Sequence, residues 1–167
     1  MGIKKKQNIE ISIIGEISKI ISDSISPEST MGKIVKLISR KFKVDVCSIY
    51  LTDSLKKNLV LCATIGLSEK SVSNIRMNIN EGLTGLVMEK MSPVFVINPS
   101  KHPRYKFFEN SGEEHYKTFL GVPLVYHQKT LGALVVQSVS KTALEESDID
   151  FFSTIASQVS STAAYAG

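Results

Sequence analysis

The residues with the most chemical potential fall in one segment, "HPRYKFFENSGEEHYKTFLGVPL", His102 to Leu124. It holds His102 and His115, two of the chain's three histidines, and five of its twelve aromatic rings. It also holds Glu109, Asn110, Glu113 and Glu114. Such a set fits a catalytic loop, a metal site, a ligand lid or a surface connection. A metal needs three or four ligands held close together. His102 and His115 are thirteen residues apart, with no thiolate or third ligand at a usual spacing. His102 precedes Pro103 and reads as a turn residue, and no metal is expected. The only thiols, Cys47 and Cys62, each lie inside an apolar run with no cationic neighbour in sequence. They read as inert core thiols in a reducing compartment. A reductase acting on methionine sulfoxide would need an accessible, low-pKa thiol instead.

A ligand lid needs an apolar body for shape and a few polar groups for orientation. Tyr105, Phe107, Phe108, Tyr116 and Phe119 supply the first. Arg104, Glu109, Asn110, Glu113 and Glu114 supply the second. A further element is "EGLTGLV". Gly82 and Gly85 permit close backbone approach, and a helix starting there offers the Leu83 and Thr84 N–H groups to a carboxylate. On the strand "VCSIYL", alternation puts Cys47, Ile49 and Leu51 on one face and Ser48, Tyr50 and Thr52 on the other. The first face suits a core. The second, with its hydroxyls and ring, suits a polar-lined pocket covered by residues 81–116. Plainer readings stand beside these. Ser48 and Tyr50 read equally as hydroxyls bonded to backbone, Arg104 as one half of a surface ion pair, and the phenylalanines as core.

The elements that position these residues follow from periodicity. Ile9, Ile13, Ile17, Ile20 and Ile21 repeat at helical spacing, with Glu10, Ser12, Glu16 and Lys19 opposite. Residues 1–7 read as a flexible N-terminus. Ser26 and Pro27 open a second helix, with Met31, Ile34, Val35, Ile38 and Phe42 on one side. "VDVCSIYLTD" and "LVLCATIGL" form a hairpin, "SVSNIRMNIN" is extended, "EGLTGLVMEKM" is a short helix and "SPVFVIN" a strand. "TFLGVPLVY" and "LGALVVQSVS" pair across the tight turn "HQKT", with an unpaired or bulged position at Pro123. Ser147 caps a last helix that buries Ile149, Phe152, Ile155, Ala156, Val159 and Ala163. Terminal helices around a central antiparallel sheet of five to six strands make an α+β domain. The helices pack on one face, and the loop and short helix form a lid on the other.

Net charge is +4, from 17 Lys and 3 Arg against 16 acidic residues. The lysines are spread without a basic stripe, so no nucleic-acid partner is expected. Without a membrane-spanning run or a leader, the expected location is cytoplasmic and no membrane partner is expected. Ile11, Ile14 and Ile25 lie off the main stripe of the first helix, which predicts a homodimer through the terminal helices.

The strings "VCSIYLTD", "LCATIGL", "EGLTGLV", "HPRYKFF", "SGEEHY" and "FLGVPLVYHQKTLGALVVQ", in this order, resemble a GAF domain over residues 8–166. The particular resemblance is to the N-terminal regulatory GAF domains of nitrogen-type phosphoenolpyruvate-protein phosphotransferases. It implies a profilin-like fold and a single domain at 8–167, as a fragment of a longer chain. It further implies a non-catalytic domain without cofactor that senses a small metabolite, glutamine foremost, and controls a phosphotransferase module. The candidate ligand-binding set is Ser48, Tyr50, Leu83, Thr84, Arg104, Tyr105, Phe108, Glu109, Glu114 and Tyr116. In that scheme the ligand carboxylate meets the Leu83–Thr84 amides or Arg104, and its ammonium meets Glu109 or Glu114. A cyclic nucleotide, another metabolite, or a purely dimerising module are the alternatives.

Overall fold

The computed structural model describes residues 2–68, 72, 74–106 and 115–164. Helices α1 (Gly2–Ser22) and α2 (Pro27–Phe42) lead into β1 (Val46–Thr52), β2 (Asn58–Ile65) and β3 (Arg76–Asn78). Helix α3 (Gly82–Lys90) and β4 (Val94–Ile97) follow, then β5 (Thr118–Tyr126), β6 (Lys129–Ser138) and α4 (Ile149–Ala164). The six strands form one antiparallel sheet in the order β3-β2-β1-β6-β5-β4. This is the α+β architecture that the periodicities predict. Among the described residues no helix is long and apolar enough to cross a membrane.

The sheet divides two cores by alternation. Cys47, Ile49 and Leu51 of β1 face α1, α2 and α4, in a cluster with Ile13, Ile17, Ile34, Ile38, Phe152 and Ile155. Val46 and Tyr50 face the other way and pack with Leu83, Val87, Phe119 and Val135 under α3. A β-bulge breaks the alternation of β2. Ile49 pairs with Ala63 but Tyr50 pairs with Leu61, so Cys62 is the extra residue. Leu59 and Leu61 therefore join the α3 side, while Cys62, Ala63 and Ile65 join the helix side. Both cysteines thus share the helix-side environment.

Local chemistry sets the ends of the elements. Ser26 Oγ accepts the Ser29 N–H at 3.2 Å with Pro27 at the first helical position, a cap worth about 1 kcal/mol. Lys43 turns left-handed to close α2. Asp53 accepts the backbone N–H of Lys57 at 3.1 Å and of Asn58 at 3.3 Å, and pairs with Arg76 at 3.0 Å, tying the β1–β2 turn to β3. These bonds, the Asn58 side chain foremost, hold its carboxyl below the ordinary aspartate value. His127 and Gln128 both take positive φ, the turn that matches hairpin twist.

Three expectations about local structure change, and the one at Pro123 is met in its unpaired form. Helix α1 begins at Gly2, so the predicted flexible stretch is helical from residue 2 onward. Ile9 is 38% exposed and leaves the buried stripe that Ile13 and Ile17 carry. The bulge in β5 falls at Leu124–Val125, and Pro123 stays in register with Ala133. The β4 pairing ends at Gly121, so β5 has a partner on one side only at Pro123 and no N–H is missed. A reciprocal capping box between Glu145 and Asp148 opens the 3-10 turn Glu146–Asp148 that leads into α4, in place of the expected cap at Ser147. Asp148, 1% exposed, accepts the Glu145 N–H at 2.8 Å and the Lys6 ammonium at 2.6 Å, and so binds α1 to the start of α4. That bond raises the Lys6 pKa above its ordinary value.

The β1–β6 ladder depends on one close approach. A Cβ on Gly132 would lie 1.9 Å from the Tyr50 carbonyl oxygen. Gly132→Ala forces these central strands apart. A loss of about 2–3 kcal/mol is expected, read as a lower urea midpoint.

Candidate functional site

The α3-side core encloses a small cavity. Tyr50 of β1, Met77 of β3, Phe119 of β5 and Gln137 of β6 form its floor. Gly82, Leu83 and Thr84, the first turn of α3, form one wall, and Tyr105 and Lys106 close it from the loop after β4. The free space is about 20 Å³, enough for one water. Drug-sized ligands occupy pockets of roughly 300–1,000 Å³. In this conformation the described lining leaves too little room for a ligand of that size.

Helix α3 sits deep because it is apolar nearly all round. Residues 82–88 are all buried. Its start is shaped by Glu81, whose side chain accepts the Asn78 N–H at 3.0 Å. Gly82 has φ +71°, and a Cβ on Gly85 would meet the Asn80 carbonyl carbon at 2.4 Å. The close approach at Gly85 is therefore to the turn that precedes α3. Gly82, Leu83 and Thr84, the first-turn residues of α3, line the cavity, and the N–H groups of a helix's first turn lack intrahelical partners and suit an anionic or carbonyl oxygen.

The loop is strapped down from both sides. Arg104 Nη1 meets Glu89 Oε2 at 2.7 Å, its Nη2 donates to the Asn80 carbonyl, and its backbone N–H donates to His102 Nδ1 at 3.0 Å. Lys106 Nζ meets Glu81 Oε1 at 2.9 Å. Both ion pairs are partly exposed, worth at most about 1 kcal/mol each. The Lys106 bond, with the Asn78 N–H, holds the Glu81 carboxyl below the ordinary glutamate value of 4.5.

The ten predicted ligand-binding residues separate into three groups. Tyr50, Leu83, Thr84 and Tyr105 converge on the cavity. Ser48, Arg104 and Tyr116 lie outside its lining. Ser48 is fully buried and its hydroxyl bonds Thr64 Oγ1 across the strands at 2.8 Å. Arg104 is engaged with Glu89 and Asn80. Tyr116 is core, 6% exposed, with its ring 4.5 Å from that of His115. Phe108, Glu109 and Glu114 lie outside the described residues. Met77, Lys106 and Gln137 are lining residues that sequence reasoning missed. For Gln137 the strand pattern carried the information: with Ala133 and Val135 it alternates onto the Tyr50 face of the sheet.

The thiols have the opposite of a nucleophile's environment. Burial pushes the Cys47 thiol far above its ordinary value, and burial also raises that of Cys62. Among the described residues no group of three His, Cys, Asp or Glu side chains comes together to hold a metal.

Comparison with known proteins adds the family. The GAF domain model matches residues 26–162. The chain belongs to the GAF domain family. It is 34% identical to the GAF domain from Acinetobacter phosphoenolpyruvate-protein phosphotransferase, covering 94% of each chain with a TM-score of 0.82. The GAF domain of the phosphoenolpyruvate-protein phosphotransferase from Coxiella burnetii is 30% identical, again over 94% of each chain, with a TM-score of 0.87. The phosphoenolpyruvate-dependent phosphotransferase system protein of Escherichia coli (strain K12) is 30% identical over 144 residues, 86% of this chain. The chain spans only 19% of that relative's length.

The straps make a titration prediction. Because the Glu81 pKa is depressed, its contribution is present above the ordinary glutamate value and is lost as pH falls through the depressed one. The Glu81 carboxyl is expected to titrate below 4.5 by carbon-detected NMR, and Lys106→Met to move the midpoint up. An unchanged midpoint removes the Lys106 strap.

Proposed function

We propose that this GAF domain is regulatory, binding a small metabolite in the cavity under α3 and controlling a phosphoenolpyruvate-dependent phosphotransferase module, with glutamine as the signal. The cavity carries the reading. Four of the ten residues chosen for ligand chemistry meet there, at a helix start that suits a carboxylate. The likeness to GAF domains of phosphotransferases supplies the output, and glutamine follows from that resemblance rather than from the cavity. The domain itself is not the catalyst. One buried and one partly buried thiol, both of raised pKa, are poor nucleophiles for a reductase.

The closed cavity suggests how binding becomes a signal. An amino acid cannot enter about 20 Å³ without separating the loop and α3 from the sheet. A ligand shifts a conformational equilibrium only by its differential affinity for the two states, and here the closed state excludes it. Strand β5 links the cavity to the other core. Its Phe119 lines the cavity, while its Leu120 and Val122 pack in the cluster that holds α4. Helix α4 is the element we assign to pass the movement on.

Dimerisation has its own support. Ile3 is 79% and Ile11 67% exposed on one flank of α1, beside the half-buried Ile14. An apolar flank of this kind favours association through the terminal helices.

Two measurements test these readings. Calorimetric titration with L-glutamine is expected to give saturable binding, weakened about tenfold by Thr84→Val, with 2-oxoglutarate and cyclic GMP silent. Binding of a comparator alone replaces the signal, and silence for all three leaves an interaction module. Sedimentation equilibrium is expected to give a dimer that Ile3→Ser with Ile11→Ser converts to monomer. A wild-type monomer at high concentration removes the dimer.

A further inference from the structure

The helical layer carries a groove of about 390 Å³ between α1 and α2. Helix α1 lines it with Glu16, Lys19, Ile20 and Asp23, and α2 lines it with Lys33, Lys36, Leu37 and Arg40. Leu37 is 4% exposed and belongs to the helix-side core, and Ile20 packs against that core, so the floor is apolar. The four cations and Asp23 are exposed. Four cations against two carboxylates leave the groove net positive. Among the described residues none of these six groups forms an ion pair. Glu16 adds a second signal. Its Oε2 is buried without a hydrogen-bond partner, a state that costs free energy until a donor reaches it.

The occupant follows from this pattern. Lys33, Lys36 and Arg40 share one face of α2 over about 10 Å. A facing helix with carboxylates one turn apart matches all three, and an apolar side chain between them fills the slot at Ile20 and Leu37. A donor on its other flank, an ammonium or a hydroxyl, reaches Glu16. A nucleic acid fits less well. It brings phosphates to Glu16 and Asp23, and the described lining has no aromatic ring on which a base could stack. A small anion leaves the apolar floor unfilled. The groove also lies apart from the apolar flank of α1. At about 100° per residue, Glu16, Lys19 and Asp23 stand about 160° around the helix from Ile3, Ile11 and Ile14. That other flank meets α4, whose Gln158 donates to the Ile14 carbonyl at 3.3 Å.

We infer that the α1–α2 groove docks an acidic amphipathic helix of a partner protein. Its carboxylates meet Lys33, Lys36 and Arg40, and its apolar side chain enters between Ile20 and Leu37. The inference stands on this groove and does not rest on the metabolite reading.

The probe is a fluorescent helical peptide with a leucine stripe flanked by glutamates one turn apart. It is titrated into the full chain and read by anisotropy, beside the same peptide with glutamine for each glutamate and a labelled DNA duplex. Saturable binding of the acidic peptide is expected, about tenfold tighter than that of the glutamine peptide and weakened by salt. Lys33→Glu with Lys36→Glu, both at exposed positions, is expected to weaken the acidic peptide about tenfold and to bind a lysine version of it instead. Ile3→Ser with Ile11→Ser is expected to bind as the wild type does. Retained affinity in the double lysine variant overturns the groove as the site. Equal binding of the glutamine peptide overturns the charge match. Tighter binding of the duplex overturns the helical occupant, and silence for the acidic peptide overturns the inference. If circular dichroism finds the double lysine variant unfolded, Arg40→Glu takes its place with the same expected and overturning results.

Discussion

Strand β1 is buried on both faces, and the molecule is organised around that constraint. Six of its seven residues are buried, and five of them belong to one of two separate cores. A strand at the centre of a sheet cannot leave either row of side chains in water when both rows are this apolar. The helix side is met by α1, α2 and α4, which come from the two ends of the chain. The other side is met by α3 and the loop that follows β4. The Lys6–Asp148 bond joins the two chain ends on the outer layer, so the helical cover closes as one unit.

The two covers differ in kind. The helical layer presents regular stripes, with Phe42, Phe151 and Phe152 in mutual ring contact. The α3 layer is one nine-residue helix and a loop held by partly exposed ion pairs. Pairs of that sort are weak and salt-sensitive. A domain built this way has a stiff back and a front that opens at lower cost.

Much of the fold was legible because it is periodic. The Met31, Ile34, Val35 and Ile38 stripe, the face division of β1 and the β5–β6 hairpin each follow from local spacing. The local failures share a cause. Ile9 carries the correct spacing yet lies on a part of α1 that its neighbours do not cover. The Asp148 cap outcompetes Ser147 because Asp148 also receives Lys6, a partner 142 positions away in the chain. The bulge at Cys62 reverses the alternation of β2 and shows only in the pairing register.

The amino-acid order by itself determined the α+β class, the family resemblance, the buried Cys47 thiol and four of the cavity residues: Tyr50, Leu83, Thr84 and Tyr105. These rest on information within a few residues of each site, or on strings that recur in a known order. Tertiary structure decided the rest. It bonded Ser48 to Thr64, engaged Arg104 with Glu89, shrank the cavity to the room of a single water and brought Gln137 to its wall. Each depends on which strands lie side by side and how closely a loop settles on a helix. Pairing and settling minimise the free energy of the whole chain, so no local window of sequence contains them.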